Sequence, residues 1–387
     1  MSEPTIRAWP RGEGRWGIRN HVLVVSTVCC ANFAVERIAK ADPAVVPVTH
    51  QHGCTHLGDD RQQVLRTLAG TCENPNVAGV LLVGLGCESI SVADITACVA
   101  TDGRMVRSLV IQEAGTVEQL LAAAADHLEE MKRFAASQEP QSRPVGDLVI
   151  GLECGGSDPF SGITANPAVG VVSDRLVAAG GTVMLSETPE MIGAEDALTP
   201  RIADAAAREK LLACIGRYTA AARRQGCDLR GVNPTPGNIR AGLSSIEEKS
   251  LGCVVKGGTS PIREVLDYAA APSVSGLVVM DTPGNDPESI TGMVAGGATL
   301  VLFTTGVGTP LGNPVAPVIK ISSNSALAGR MSDYVDLDAG RIIDGVPLEE
   351  VAEDLWSLLL KTAGGQQTAA ERNGCREFAI NRIGPTY

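Results

Sequence analysis

Apolar runs alternate with amphipathic stretches along most of the chain, beginning near residue 21. The runs are continuous, which is typical of strands that are buried on both faces of a parallel sheet. The stretches between them, such as residues 116–134, repeat apolar positions with helical spacing, so successive runs predict strand–helix–strand units. We expect strands at HVLVVSTV (21–28), VVPVTH (45–50), VAGVLLVGLG (77–86), RSLVIQ (107–112), DLVIGLE (147–153), TVMLSE (182–187), SGLVVMD (275–281), TLVLFTTG (299–306) and VIKISS (318–323).

A polar, proline-containing stretch at residues 135–146 interrupts this alternation after a long predicted helix. Its composition is that of a linker, and 387 residues exceed the usual size of one hydrophobic core. We therefore predict two Rossmann-like, doubly wound α/β domains with mainly parallel sheets, at residues 1–138 and 145–387. In such sheets the active site is expected beyond the C-terminal ends of the strands.

The charge balance excludes some classes of partner. Thirty-two Lys and Arg against 44 Asp and Glu give a net charge of −12, the wrong sign for a protein that binds nucleic acid or an acidic membrane. No segment approaches the ~20 apolar residues of a membrane span, and residues 1–10 lack the apolar core of a signal peptide. We expect a cytoplasmic protein, in which the 11 cysteines remain free thiols and are available as metal ligands.

Cysteine, histidine and glutamate follow three of the predicted strands, where ligands of open parallel sheets bind. Three cysteines at equivalent, glycine-flanked strand ends predict a shared site for Fe²⁺ or an iron–sulfur cluster, although buried thiols that only pack are common. The predicted metal ligands are Cys54, Cys87 and Cys154. The predicted proton carriers are His50, Glu88 and His52. The alternative is that the histidines are structural imidazoles and that Glu88 is an ordinary loop carboxylate.

Two glycine-rich loops, at residues 155–162 and 304–314, could hold an anionic substrate through their backbone N–H groups. Neither has the spacing of a Walker motif or of a dinucleotide-binding glycine motif, so a nucleotide ligand is not indicated. Basic side chains near the motifs could pair with a substrate carboxylate. The predicted substrate-binding residues are Arg19, Asn20, Gly155, Gly156, Ser157, Asp158, Lys249, Thr305 and Gly306.

Several segments of the chain resemble the altronate/galactarate dehydratase family. These are RGEGRWGIRNHVLV (11–24), QHGC (51–54), GLGCE (84–88), ECGGSDPFSGITANPAVG (153–170), LSETPE (185–190), TPGN (235–238), GLSSIEEKSLG (242–252) and TTGVGTP (304–310). The resemblance covers nearly the whole chain and includes the three strand-end cysteines. It implies an iron-dependent lyase that removes water from a 2,3-dihydroxy sugar acid, such as altronate or galactarate, to give a 2-keto-3-deoxy acid.

The resemblance also implies partner subunits, and it leaves alternatives open for the reaction and for the class of protein. Members of the family often carry an additional small domain of the SAF type, so we expect a separate small subunit and, as is usual for such enzymes, a homo-oligomer. This split arrangement is similar to that of (2R)-sulfolactate sulfo-lyases, in which the large subunit acts on another small anionic hydroxy acid and sulfite leaves instead of water. A non-catalytic Rossmann-like binding or redox protein is the alternative of another class.

Overall fold

The computed structural model describes residues 4–12 and 14–387, in which the strands form three sheets. Two of these sheets are entirely parallel, and helices flank them. The predicted α/β, Rossmann-like fold class is confirmed, and every predicted strand overlaps an observed one. No helix in the described part of the chain is both long enough and apolar enough to cross a membrane.

A four-stranded parallel sheet is built from the N-terminal part of the chain. Its strands, in spatial order, are Val46–Val48, His21–Ser26, Val77–Gly84 and Met105–Val110. Continuous Val and Leu in the central strands are buried on both faces, which is why these segments lack a polar alternation. The surrounding helices are Asn32–Ala41, Gly58–Glu73, Val92–Cys98, Ile111–Ala114 and Val117–Ser137.

A seven-stranded parallel sheet follows. Its strands, in spatial order, are Ile262–Leu266, Gly276–Met280, Thr182–Leu185, Val149–Cys154, Leu300–Thr305, Val318–Ser322 and Leu337–Asp338. Helices Ala165–Ala178 and Leu348–Ala363 share one apolar cluster with this sheet, and Asp286–Ala295 packs in another. The remaining helices are Glu195–Leu198, Ala205–Arg224, Leu229–Val232, Pro236–Arg240, Ile246–Val254, Ser325–Arg330 and Ala369–Arg372.

The two parallel sheets share one apolar core between them. Helix Gly58–Glu73 packs there against helix Asp286–Ala295, and the cluster includes residues of both sheets. The helices approach so closely that a Cβ at Gly70 would lie 2.3 Å from the carbonyl oxygen of Ala295. Only glycine permits that approach, so Gly70 fixes how closely the two helices pack.

The stretch predicted as a linker contains a strand. Gln141–Pro144 pairs antiparallel with Thr5–Arg11, which also pairs with Arg15–Gly17, and the preceding helix extends to Ser137. Most residues of Gln141–Pro144 are exposed at the edge of this small sheet. Edge strands tolerate proline and polar side chains because one row of backbone groups has no partner strand, which explains why the composition resembled a loop.

The end of the chain returns to the N-terminal sheet. The side chain of Gln63 donates to the carbonyl of Asn381 at 2.8 Å, and Arg382 pairs with Asp60 at 3.0 Å. The backbone N–H of Ile383 donates to the same aspartate at 2.8 Å. The last residues therefore pack beside the loop that carries the predicted histidines.

Candidate functional site

The carboxyl ends of the seven-stranded sheet bring reactive side chains to one edge. Cys154 is the last residue of its strand, Glu187 follows the neighbouring strand Thr182–Leu185, and Asp281 follows Gly276–Met280, the next strand on the same side. Because these strands are parallel, the side chains after them lie on the same side of the sheet. Helix Ile246–Val254, capped by the side chain of Ser245, adds Cys253 to this edge.

Cys154, Glu187 and Cys253 form a buried group whose ligand atoms all lie within 4.8 Å of one another. The Sγ atom of Cys154 is 3.4 Å from Sγ of Cys253 and 3.8 Å from Oε1 of Glu187. Among the described residues, this is the one group of three or more His, Cys, Asp or Glu that is close enough to hold a metal ion. Two thiols and a carboxylate are a donor set that suits iron or zinc.

The position of Glu187 is fixed from several directions. Its backbone has a φ of +66°, a left-handed conformation that is uncommon for a residue with a side chain. Its N–H donates to Oγ1 of Thr282 at 2.7 Å, and its carboxylate accepts the N–H of Cys154 at 3.0 Å. Such strained residues persist where the surrounding structure holds them, and they are common at functional sites.

Lys256 supplies a buried positive charge to the group. Its Nζ atom is 2.5 Å from Oε2 of Glu187, 2.8 Å from Sγ of Cys253 and 3.2 Å from Sγ of Cys154. Burial alone would lower the pKa of Lys256, but the neighbouring negative groups, Cys154 foremost, hold this pKa well above its usual value. The side chain is fully buried, and its ammonium group is the counter-ion of the Glu187 carboxylate.

Two further buried glutamates surround the group. Burial, and secondly the charge of Glu187, raises the pKa of Glu153 well above its usual value and so favours its neutral form. Burial also raises the pKa of Glu190, although Lys249 lies 2.9 Å away and opposes the shift. One carboxyl oxygen of Glu153 and one of Glu190 have no hydrogen-bond partner among the residues that the structure describes.

Asp286 begins a helix beside the glycine loop that follows Cys154. A Cβ at Gly155 would lie 2.3 Å from its carboxyl oxygen, so only glycine leaves room for this side chain. Burial, with a contribution from the charge of Glu187, raises the pKa of Asp286 to about 7. A carboxyl with this pKa can exchange a proton near neutral pH.

Three of the predicted substrate-binding residues reach the metal-ligand group. Ser157, Asp158 and Lys249 line a cavity of about 30 Å³ together with Cys253. The cavity therefore gives a small molecule direct contact with one of the two thiols.

The two predicted glycine-rich loops are also brought together. The carbonyl of Gly156 accepts the N–H groups of Gly306 and Val307, each at 2.9 Å. A Cβ at Gly306 would lie 2.3 Å from Cγ of Asp158, and Oγ1 of Thr305 accepts a backbone N–H within its own loop. The loops therefore support each other through contacts that need glycine.

Arg19 and Asn20 lie elsewhere, at the amino end of the first strand of the four-stranded sheet. Both oxygens of Glu371 accept hydrogen bonds from Arg19, at 2.8 and 2.9 Å. Asn20 accepts from Arg11 at 2.6 Å and donates to the carbonyl of Ala135 at 2.8 Å. The structure does not bring these two residues to the other predicted substrate-binding residues.

Cys54 and Cys87 lie at the carboxyl edge of the other sheet. The structure does not group them with Cys154 among the described residues, so the predicted set of three cysteines is not seen. Cys54 is half-buried, whereas Cys87 is exposed and its Sγ accepts from Gln112 at 3.7 Å. The reason is that Cys154 belongs to the seven-stranded sheet and finds its partner thiol on a helix, in Cys253.

The predicted proton carriers surround Cys54 and Cys87. His50 uses both ring nitrogens, since Nε2 lies 2.8 Å from the carbonyl of Ser26 and Nδ1 accepts the N–H of His52 at 3.1 Å. Burial lowers the pKa of His50 to about 4, and burial also lowers the pKa of the half-buried His52. Burial would raise the pKa of Glu88, but hydrogen bonds, beginning with the Gly86 N–H at 2.6 Å, lower it overall.

Sequence reasoning gave no role to several residues of this site. Lys256 follows Cys253 by three positions, a spacing that places both on one side of a helical segment and could have linked them. Glu190 lies in the family-like segment LSETPE (185–190) but was given no role, and Asp286 carried no signal because its importance comes from burial. His56 was also missed; its Nδ1 lies 2.7 Å from Asp60 beside the predicted histidines.

Comparison with known protein families decides the family. Residues 145–386 match the sequence model of the C-terminal domain of D-galactarate/altronate dehydratase, and residues 8–136 match that of the second domain of D-galactarate dehydratase/altronate hydrolase. The chain belongs to the D-galactarate/altronate dehydratase family. The resemblance of the sequence motifs to this family is thereby confirmed.

Individual relatives agree with this membership. Altronate dehydratase of Escherichia coli (strain K12) is 35% identical over 392 residues, which cover 98% of this chain and 78% of the relative. Altronate dehydratase of Bacillus subtilis (strain 168) is 36% identical over 99% of this chain and 78% of the relative. The (2R)-sulfolactate sulfo-lyase subunit beta of Chromohalobacter salexigens is 35% identical over 98% of this chain and 97% of the relative. The chain is therefore a lyase, and the non-catalytic alternative is set aside.

Proposed function

We propose that the lyase removes water from a 2,3-dihydroxy sugar acid, such as altronate or galactarate, and that Cys154, Glu187 and Cys253 hold Fe²⁺. The buried group of two thiols and one carboxylate carries this proposal, in a chain related to altronate dehydratases. The unpartnered carboxyl oxygens of Glu153 and Glu190 also fit a site that accommodates additional positive charge. Two thiols are too few for the usual ligation of an iron–sulfur cluster, which favours a single ion.

The elimination requires removal of the proton next to the substrate carboxylate and departure of the hydroxyl group on the next carbon. When bound, Fe²⁺ would supply a Lewis acid that polarises substrate oxygens. Asp286 is the proposed proton carrier, because its pKa of about 7 lets it accept and return a proton near neutral pH. Lys249 lines the cavity at Cys253, which supports the sequence-based proposal that it pairs with the substrate carboxylate.

The predicted roles of Glu88 and His52 as proton carriers stay predictions. The engagement of both ring nitrogens argues against His50 as a base, because a proton could be accepted only after a buried hydrogen bond is broken. The proposed reaction therefore uses the edge of the seven-stranded sheet.

Metal content tests the proposed ligand set. Wild-type protein, Cys253→Ser and the control Cys87→Ser are purified without oxygen, and iron, acid-labile sulfide and 2-keto acid formation from altronate and galactarate are measured. We expect iron without sulfide in the wild type and in Cys87→Ser, and loss of both iron and activity in Cys253→Ser. Iron that is lost from Cys87→Ser and kept by Cys253→Ser would overturn the assignment.

Sulfite elimination is the second candidate reaction. The observation that favours it is the 35% identity to the sulfo-lyase subunit beta over 98% of this chain, which equals the identity to altronate dehydratase of Escherichia coli. Because that relative is one subunit of its enzyme, the match also supports the proposal of a separate small subunit. Co-purification of a small protein with the tagged chain would test this. Assembly into a homo-oligomer stays a prediction. Release of sulfite from (2R)-sulfolactate, with altronate and galactarate unchanged, would replace the dehydratase proposal.

A further inference from the structure

A second, larger cavity of about 530 Å³ opens beside Asp281. Helices Gly58–Glu73 and Ala205–Arg224 line it, together with the C-terminal residues Asn381–Ile383. Its volume lies within the range of small-molecule sites. It shares no lining residue with the small cavity at Cys253, so the two are separate sites.

Positive side chains are concentrated in this cavity. Although the chain as a whole carries a net charge of −12, four arginines line the cavity. Guanidinium groups bind carboxylates through paired hydrogen bonds, so the concentration indicates an anionic ligand. The arginines are Arg66, Arg217, Arg224 and Arg382.

Three of these arginines keep hydrogen-bond donors that the described protein groups do not use. Nε of Arg66 donates to the carbonyl of Tyr268 at 2.8 Å, and both terminal nitrogens of Arg66 have no partner in the described part of the chain. Arg382 is held by Asp60 through Nε and Nη2, which leaves Nη1. Arg224 makes no ion pair or side-chain hydrogen bond with any described residue. Donors therefore remain for a ligand, and the contacts described above already orient the side chains of Arg66 and Arg382.

Acceptors line the same cavity. The carboxylates of Asp59, Asp267 and Asp281 also line the cavity, and carboxylates accept hydrogen bonds from hydroxyl groups. Asp281 pairs with Arg217, and Asp267 pairs with Lys210. A compact phosphate dianion would place both of its charges close to the aspartates, whereas a longer ligand can place its carboxylates at the arginines and its hydroxyls at the aspartates. Asp281 also accepts from Oγ1 of Thr188 at 2.8 Å, so the cavity wall contacts the residue that follows Glu187.

We propose that this cavity binds a polyhydroxylated carboxylic acid at a site separate from the metal-ligand group. The ligand class follows from the lining residues, and the inference rests on the proposed function only in the choice of probe, galactarate. The proposal concerns ligand binding alone, so its test does not depend on whether the chain eliminates water or sulfite.

Calorimetric titration with galactarate tests the proposal. Every variant is made in the Cys253→Ser background, which prevents the proposed reaction and changes no residue of the larger cavity. Arg224→Gln removes an exposed arginine that has no partner, so it is expected to fold normally. Arg223→Gln is the matched control, because Arg223 is its exposed neighbour on the same helix and does not line the cavity.

We expect saturable binding in the parent, about tenfold weaker binding in Arg224→Gln, and binding in Arg223→Gln equal to that of the parent. The further substitution Arg66→Gln should weaken binding again, and added salt should do the same for the parent. Absence of binding in the parent, or equal binding in all three proteins, would overturn the site. Tighter binding of inorganic phosphate than of galactarate would overturn the ligand class.

Discussion

The buried ammonium of Lys256 should make a large contribution to the stability of the metal-free protein. Its substitution by methionine keeps a side chain of similar length and removes the charge. Glu187, whose side chain is 1% exposed, would then retain a buried carboxylate without its counter-ion. Removal of one partner from a buried pair typically costs about 3–5 kcal/mol, because the remaining charge has lost its compensation.

A surface pair on the same protein gives the matched control. Lys210 lies 2.9 Å from Asp267, whose side chain is 66% exposed, and an exposed pair typically contributes only about 0–1 kcal/mol. Lys256→Met and Lys210→Met therefore remove the same chemical group from a buried and from an exposed pair. The difference between the two variants isolates the effect of burial.

Urea unfolding of chelator-treated protein at neutral pH measures these free energies. We expect a clear fall in the midpoint for Lys256→Met and little change for Lys210→Met. The double variant Lys256→Met/Glu187→Gln should recover most of the loss, since it leaves no unpaired buried charge. A loss in Lys256→Met no larger than in Lys210→Met would refute the electrostatic reasoning, and a double variant as unstable as the single one would assign the loss to packing.

Three further substitutions test separate parts of the structure. Burial raises the pKa of Asp286 to about 7. Between about pH 4 and pH 7 the folded protein therefore keeps a proton that the unfolded chain releases. The free energy of unfolding falls as the pH rises through this range, because the unfolded state binds fewer protons. Asp286→Asn should therefore raise the urea midpoint at pH 8 and leave it almost unchanged at pH 4, and an equal change at both would contradict this pKa. Gly306→Ala should lower the melting temperature, because the new Cβ would overlap Asp158 and such overpacking destabilises a protein by about 1–3 kcal/mol. An unchanged melting temperature would show that the loops can separate. Arg19→Gln should destabilise the protein by about 1–3 kcal/mol through loss of the pair with Glu371, and leave KM unchanged; a raised KM at unchanged stability would instead restore its predicted role in substrate binding.

The fold could be predicted because most of its strands are buried on both faces. Continuous apolar runs such as 77–86 and 299–306 mark central strands of parallel sheets directly in the sequence. Most of the strands that were missed lie at sheet edges, where fewer neighbours demand apolar residues; the exception is Thr5–Arg11, the middle strand of the small antiparallel sheet. Ile262–Leu266 includes a charged pair of residues, and Gln141–Pro144 is polar throughout and ends in proline.

The site was only partly predictable, because burial sets much of its chemistry. The motif at residues 153–158 identified Cys154, Ser157 and Asp158, and the structure places these three near Cys253. Nothing local to Asp286 in the sequence indicates that its pKa is raised to about 7, since desolvation by residues distant in the chain is the main cause. The sequence contained the residues, but the environment that changes their pKa values is created by folding.

The cysteine prediction shows where the strand-end argument stops being valid. Strand ends converge only when their strands belong to one sheet, because the common edge is produced by parallel pairing. Cys54 and Cys87 follow strands of the four-stranded sheet, whereas Cys154 ends a strand of the seven-stranded sheet. A strand-end rule applied sheet by sheet would have separated Cys154 from the other two, and its second thiol would then have been sought among the helices that cross its own sheet edge. Cys253, with Lys256 three positions later, meets that requirement, and this is why loss of iron from Cys253→Ser but not from Cys87→Ser is the decisive comparison.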